Sequence, residues 1–241
     1  MTLPPVGPLA GRVALVTGAS RGIGAATAIE LARLGAHCVI TARTQGGLEE
    51  TDDAIRALGG SATLVALDLR EFEKVDALGP SIGIRFHRLD VLVHCAGALG
   101  RLAPVPHLLP GEWDEAIGVN ATAALRLIRT TDGLLRQSDA GRAVFVTTAR
   151  ARAPKAYWGC YGAAKAALEH LVLSWADEVG TTTPIRANLF DPGPVATRLR
   201  LAAFPGEVPD GLVRPADVAP GLATLCLPGE TRNGEIVALR G

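Results

Sequence analysis

The segment Arg12–Gly35 reads RVALVTGASRGIGAATAIELARLG. Its first six residues form a short apolar run without polar alternation, the pattern of a strand buried on both faces. A helix-period stretch follows and stops at Gly35, where a glycine just past a helix end belongs. Between them stand Gly18, Gly22 and Gly24 in the spacing G-x-x-x-G-x-G. A strand that passes through a glycine turn straight into a helix is the opening of a βαβ unit, and so of a parallel sheet.

The same alternation continues along the chain. Strands are expected at His37–Ala42, Ala62–Leu69, Leu89–Gly97, Arg142–Thr148, Ile185–Phe190 and Gly234–Leu239. Helices are expected at Leu48–Gly60, at Glu71–Phe86 (the weakest), from Trp113 to about Gln137, at Tyr161–Gly180 and at Pro215–Leu227. Right-handed crossovers turn this order into an α/β fold, a Rossmann-like doubly wound parallel sheet of about seven strands with helices on both faces. With no linker, repeat or low-complexity block, residues 1–241 read as a single domain. The Pro-rich start MTLPPVGPLAG, residues 1–11, is expected to be a flexible segment. In such sheets ligands bind beyond the carboxyl ends of the strands, near the reversal of strand order.

Composition narrows the function classes. Basic and acidic residues balance at 24 each, without a basic stripe or acidic tail, which argues against nucleic acid as a partner. No apolar run is long enough to span a bilayer, and the N-terminus lacks signal-peptide features, so no membrane partner and a cytoplasmic location are expected. Cys38, Cys95, Cys160 and Cys226 lack C-x-x-C spacing and read as reduced, mostly buried thiols. His94 and Cys95 have no second ligand pair, so no metal is expected.

Glycines between the first strand and first helix let the backbone approach a pyrophosphate, while the helix N-terminus offers unpaired N–H groups. NAD-binding folds usually carry an acid near the end of the second strand for the adenosine 2′-hydroxyl. Here Ala42 and Arg43 occupy that place, no acid lies between Glu30 and Glu49, and Arg21 sits in the glycine loop. Two guanidiniums suit a 2′-phosphate, so NADP(H) is the preferred cofactor, with NAD(H) as the possible alternative.

The stretch AYWGCYGAAK, Ala156–Lys165, holds both tyrosines and one of three lysines. Tyr161 and Lys165 are four apart and share a helix face. Chance would give roughly 0.02 to 0.03 such pairs per chain, so the pairing favours chemistry over packing. A nearby ammonium is expected to favour the phenolate and bring Tyr161 toward working pH as a general acid/base. Tyr157 has no such lysine and is expected to line the approach.

TGASRGIG, YGAAK and DPGPVATR together resemble the short-chain dehydrogenase/reductase family over about Arg12 to Leu239. The resemblance implies hydride transfer between a nicotinamide cofactor and a small-molecule carbonyl or alcohol substrate. It implies a catalytic set of Asn120, Thr148, Tyr161 and Lys165. It places the cofactor against Gly18, Ser20, Arg21, Gly22, Ile23 and Gly24, then Arg43, Asp68, Leu69, Ala96 and Gly97, and then Tyr161, Lys165, Pro192, Gly193, Val195 and Thr197. Asn120 would hold a water leading from the lysine, and Asp68 would meet the adenine amino group. In the family, the long helices around Trp113–Gln137 and Tyr161–Val179 pair across a two-fold axis, which implies a homodimer or homotetramer.

Two positions depart from the family pattern. Thr148 stands where the family has serine, keeping the hydroxyl but adding a methyl. HCAG, His94–Gly97, replaces NNAG, so an asparagine that ties backbone segments together is lost at Cys95. These departures are the only support for a rival reading, a catalytically impaired dinucleotide-binding sensor or scaffold. Side chains expected in the substrate pocket are Leu99, Arg150, Tyr157, Trp158, Val195, Leu199 and Phe204. Arg150 and Arg152 could meet an acidic substrate or simply be solvated. Thr147 is expected to face away from the site.

Overall fold

A computed structural model describes residues 7–239. Seven parallel strands form one sheet: β1 (Val13–Thr17), β2 (His37–Ala42), β3 (Ser61–Ala66), β4 (Val91–His94), β5 (Arg142–Val146), β6 (Arg186–Asp191) and β7 (Ile236–Ala238). Their order is β3-β2-β1-β4-β5-β6-β7, which reverses direction between β1 and β4. This is the doubly wound, Rossmann-like sheet read from the sequence. The helices are α1 (Gly22–Arg33), α2 (Gln45–Ala57), α3 (Phe72–Asp76), α4 (Leu78–Phe86), α5 (Pro110–Ile117), α6 (Ala123–Leu135), α7 (Gly159–Gly180), α8 (Arg198–Ala203) and α9 (Pro215–Thr224).

Strand side chains alternate between two cores. Val13 and Leu15 join Leu127, Leu168, Val172 and Trp175 on the face covered by α6 and α7. Ala14 and Val16 join Leu31, Ile55, Val218 and Leu222 on the face covered by α1, α2 and α9. Both faces of the central strands are therefore apolar, which is why these runs lack a polar alternation. In register, Thr17 of β1 lies opposite His94 of β4, so the glycine loop and the Cys95–Gly97 turn emerge side by side.

Several boundaries differ from the sequence expectation. The helix expected at Glu71–Phe86 is two, because Thr130 of α6 inserts at their joint. Its hydroxyl donates to the Asp76 carbonyl (2.6 Å) and accepts from the Gly79 amide (3.2 Å). A Cβ at Gly79 would lie 2.0 Å from the Thr130 carbonyl oxygen, so only glycine allows this contact. The helix expected from Trp113 to Gln137 starts at Pro110 and is interrupted by a π turn at Gly118–Thr122. β5 ends at Val146 and β3 at Ala66, which leaves Thr147, Thr148, Asp68 and Leu69 in the loops that surround the site.

Of the segment expected to be flexible, residues 1–6 lie outside the described residues. Residues 7–11 form a packed turn instead: Leu9 is fully buried, its amide donates to the Leu34 carbonyl (2.9 Å), and its own carbonyl accepts from Arg12 (3.0 Å). Among the described residues, no helix is long and apolar enough to cross a membrane.

Candidate active site

A cleft of about 1060 Å³ opens at the carboxyl ends of the strands, over the β1/β4 reversal. The glycine loop forms its floor. Gly18 has φ +67°, and a Cβ there would fall 2.7 Å from the Ala96 backbone nitrogen, so glycine lets this loop close onto the β4 turn. A Cβ at Gly24 would strike the Gly18 carbonyl oxygen at 2.3 Å, which fixes α1 tightly under the loop. The N-terminus of α1 has no side-chain cap and no acid in its first turn, so its amides face the cleft unneutralised. This cradle fits a dinucleotide pyrophosphate. At its outer end the cleft is lined by Arg21, Arg43 and Thr44, with no carboxylate at the end of β2. Asp68 lines the same end. Arg70 grips both of its oxygens (closest 2.7 Å), and that hydrogen bond first of all holds its carboxyl below the usual range.

The lost family asparagine has a local replacement. The Thr17 hydroxyl bonds the His94 ring (2.9 Å) and accepts from the Ala96 amide (3.3 Å), so β1 and the β4 turn are tied by side chains that sequence reasoning overlooked. Burial, with the Lys165 charge second, drives His94 down to about 3 and keeps it neutral. Desolvation pushes the Cys95 thiol up to about 12.

Asn120 is fully buried in the π turn. Its amide donates to the Ala116 and Ala98 carbonyls, 2.8 Å each. Ala116 is four residues earlier and would normally accept from the Asn120 backbone N–H. The side chain takes that acceptor, and this accounts for the widened turn. Among the described residues the Asn120 Oδ1 has no protein partner, and it lies beside Gly97 near Lys165. A Cβ at Gly97 would sit 3.2 Å from Oδ1 and 3.9 Å from Lys165 Nζ.

Tyr161 and Lys165 face inward from α7, 7% and 3% exposed. Lys165 donates to the Val146 carbonyl at the end of β5 (2.8 Å), and burial lowers it from 10.5 to about 8. The expectation that Lys165 depresses the phenol is corrected here. Burial raises Tyr161 well above its ordinary value, and Asp191 adds to the rise, while the Lys165 ammonium is turned onto the Val146 carbonyl. Thr148 also lines the cleft. Its oxygen accepts from the Arg150 amide (3.3 Å), which leaves its proton available.

Beneath this set lies a network with no motif in the sequence. Arg152 bridges Glu169, one turn beyond Lys165 on α7, to Asp191 at the end of β6 (2.7 Å for Asp191). Thr147 donates to the same Glu169 oxygen (2.6 Å), and Asp191 accepts from the Gly193 amide (3.1 Å). Arg152 is thus a structural clamp rather than a substrate contact, and Thr147 is part of that clamp.

The loop after β6 closes the cleft. Val195 bridges to Val213, Thr197 caps α8, and Arg200 holds Glu207 through two hydrogen bonds of 2.5 Å. Every residue expected to touch the cofactor lines the cleft, as do Leu99, Arg150, Trp158 and Leu199. Asn120 is buried behind the cleft wall. Tyr157 does not line it: the residue is 58% exposed with φ +74°. Phe204 stands behind Trp158, ring centroids 5.6 Å apart.

This architecture is that of a family. Residues 12–207 match the short chain dehydrogenase model, and the chain belongs to the short-chain dehydrogenase/reductase family of oxidoreductases. It is 36% identical over 212 residues to the oxidoreductase YciK of Escherichia coli, covering 87% of this chain and 83% of the relative. It is 32% identical to an NADPH-dependent aldehyde reductase-like protein of Arabidopsis thaliana, covering 99% and 96%. A short-chain dehydrogenase of Shigella flexneri, solved as a complex with NADP, superposes with a TM-score of 0.91 at 32% identity, covering 98% of this chain and 99% of that one.

Proposed function

We propose that the protein is an NADP(H)-preferring oxidoreductase that interconverts a small-molecule carbonyl and its alcohol. The observation that carries this reading is one cleft lined by the glycine loop, Arg21 and Arg43 at one end and by Thr148, Tyr161 and Lys165 at the other. Bound NADPH would supply the hydride to the carbonyl carbon and leave as NADP+. Tyr161 donates the proton to the carbonyl oxygen, giving the alcohol, and Thr148 donates a hydrogen bond to that oxygen as charge builds on it. Lys165 Nζ and the Asn120 Oδ1 both lie close to Gly97, which suits them to return a proton toward the phenol. Arg21, Arg43 and Thr44 would hold the 2′-phosphate. The related NADP complex and the plant aldehyde reductase-like relative support the cofactor choice.

The same reading takes the protein to be cytoplasmic, in keeping with four free cysteines. It also takes it to be a homodimer or homotetramer. Trp113 and Leu125 are exposed on α5 and α6, which together with α7 are the helices that would pair, and light scattering at micromolar concentration checks the mass. The functional test is NADPH oxidation over a panel of ketones, aldehydes and quinones, with NADH in parallel. NADPH should bind at least about tenfold tighter, worth about 1.4 kcal/mol, and Arg43→Asp should reverse the preference. Equal affinity for both cofactors would refute the arginine assignment, and cofactor binding without turnover across the panel would favour the sensor reading.

A further inference from the structure

Arginines stand in and around the cleft, and several are matched by carboxylates. Arg70 holds Asp68, Arg152 holds Glu169 and Asp191, and Arg200 holds Glu207. Arg21 and Arg43 stand at the end assigned to the adenosine phosphate, and Arg198, which also lines the cleft with no carboxylate partner among the described residues, begins α8 on the loop after β6. Arg150 is in a different position. It lies two residues past Thr148, and its carbonyl oxygen would be 3.0 Å from a Cβ on Gly162, the residue after Tyr161. Its backbone is therefore fixed at the catalytic end. Its half-buried side chain lines the cleft with its guanidinium carbon 5.8 Å from the Trp158 ring centroid. That side chain makes one long hydrogen bond, 3.3 Å to the Ala153 carbonyl. Among the described residues no carboxylate reaches it.

Trp158 connects this cation to the chemistry. Its ring meets Tyr161 edge-on at 6.1 Å and is backed by Phe204, which Arg200 caps at 3.8 Å. Leu99 and Leu199 complete an apolar lining. A guanidinium carries five donors in a planar fork that fits a carboxylate with two parallel hydrogen bonds. The Arg150 fork lies on the open cleft with most of its donors free of protein partners, so a carboxylate entering there would find a planar pair of donors in place.

Building on the reductase reading above, we propose that the substrate is an oxo acid. Its carbonyl lies at Tyr161 and Thr148, its apolar or aryl spacer packs on Trp158, and its carboxylate is bound by Arg150. A simple ketone or aldehyde would leave Arg150 unmatched.

The test separates binding from turnover. 3-Phenylpropionate and 3-phenylpropionamide are titrated calorimetrically into protein saturated with NADPH. The carboxylate should bind at least tenfold tighter than the amide. Arg150→Ala should erase that difference, and Arg150→Lys should restore part of it. Equal binding of acid and amide to the wild type, or an acid preference that survives Arg150→Ala, overturns the proposal. Separately, 4-oxo-4-phenylbutyrate should be reduced by the wild type with a kcat/KM at least tenfold above that of its methyl ester. Acid-selective binding through Arg150 with no turnover of any carbonyl would leave this site standing and remove the reductase reading instead.

Discussion

Replacing Arg152 with alanine exposes how α7, which carries Tyr161 and Lys165, is held. The Glu169 and Asp191 side chains are only 8% and 11% exposed, and both are salt-bridged to this cation. Removing one member of a buried ion pair typically costs about 3–5 kcal/mol because the remaining charge is stranded. Arg152 itself is 39% exposed, so solvent screening reduces the expected cost to about 2 kcal/mol. For a chain of this size that corresponds to a fall in Tm of roughly 4–8 °C, readable by thermal denaturation at neutral pH. Neutralising a stranded carboxylate should recover part of the loss, so Arg152→Ala/Glu169→Gln should melt above Arg152→Ala. The same change should raise Tyr161 further, because Asp191 already raises it and would lose its counter-charge. Alcohol oxidation requires the phenol to accept a proton, so its pH profile should move alkaline. If Arg152→Ala melts within 1 °C of wild type and the profile is unmoved, the clamp has no energetic role.

Two further outcomes follow from the site. Because burial depresses Lys165 from 10.5 to about 8, between those values the unfolded chain holds a proton that the folded chain has released. Stability from this site therefore rises with pH across that window, and urea denaturation should show wild type gaining on Lys165→Met from pH 8 to pH 10; parallel curves would contradict the shift. Thr148→Ala should lower kcat by about 10²–10³ with NADPH affinity near wild type, whereas Thr148→Ser should keep or improve the rate, and an unimpaired alanine variant would remove Thr148 from the mechanism.

Much of the fold was legible because it rests on local signals. Strands buried on both faces appear as unbroken apolar runs, and glycines stand where backbones must touch, as Gly18 does against Ala96. The cofactor cradle and the Tyr161–Lys165 face could be read because each is built from residues close in sequence. What escaped depends on contacts between distant segments. The π turn forms because the Asn120 amide takes the Ala116 carbonyl, which no helix period announces. The break between α3 and α4 comes from Thr130 on another helix. Arg152, Glu169 and Asp191 lie on three different elements, and only the folded chain makes them a clamp. The assumption that Lys165 lowers the Tyr161 pKa counted the helix spacing but not the Val146 carbonyl that the ammonium meets, nor the burial that dominates the phenol.

The central claim, that this cleft performs hydride transfer with Tyr161 as the proton donor, is tested most directly by Tyr161→Phe. The ring and its packing on Trp158 are kept, and only the hydroxyl is lost. With a carbonyl substrate that the wild type reduces, kcat for NADPH oxidation should fall by about 10²–10⁴ while NADPH affinity stays within about twofold. A Tyr161→Phe variant that turns over at the wild-type rate would contradict the account.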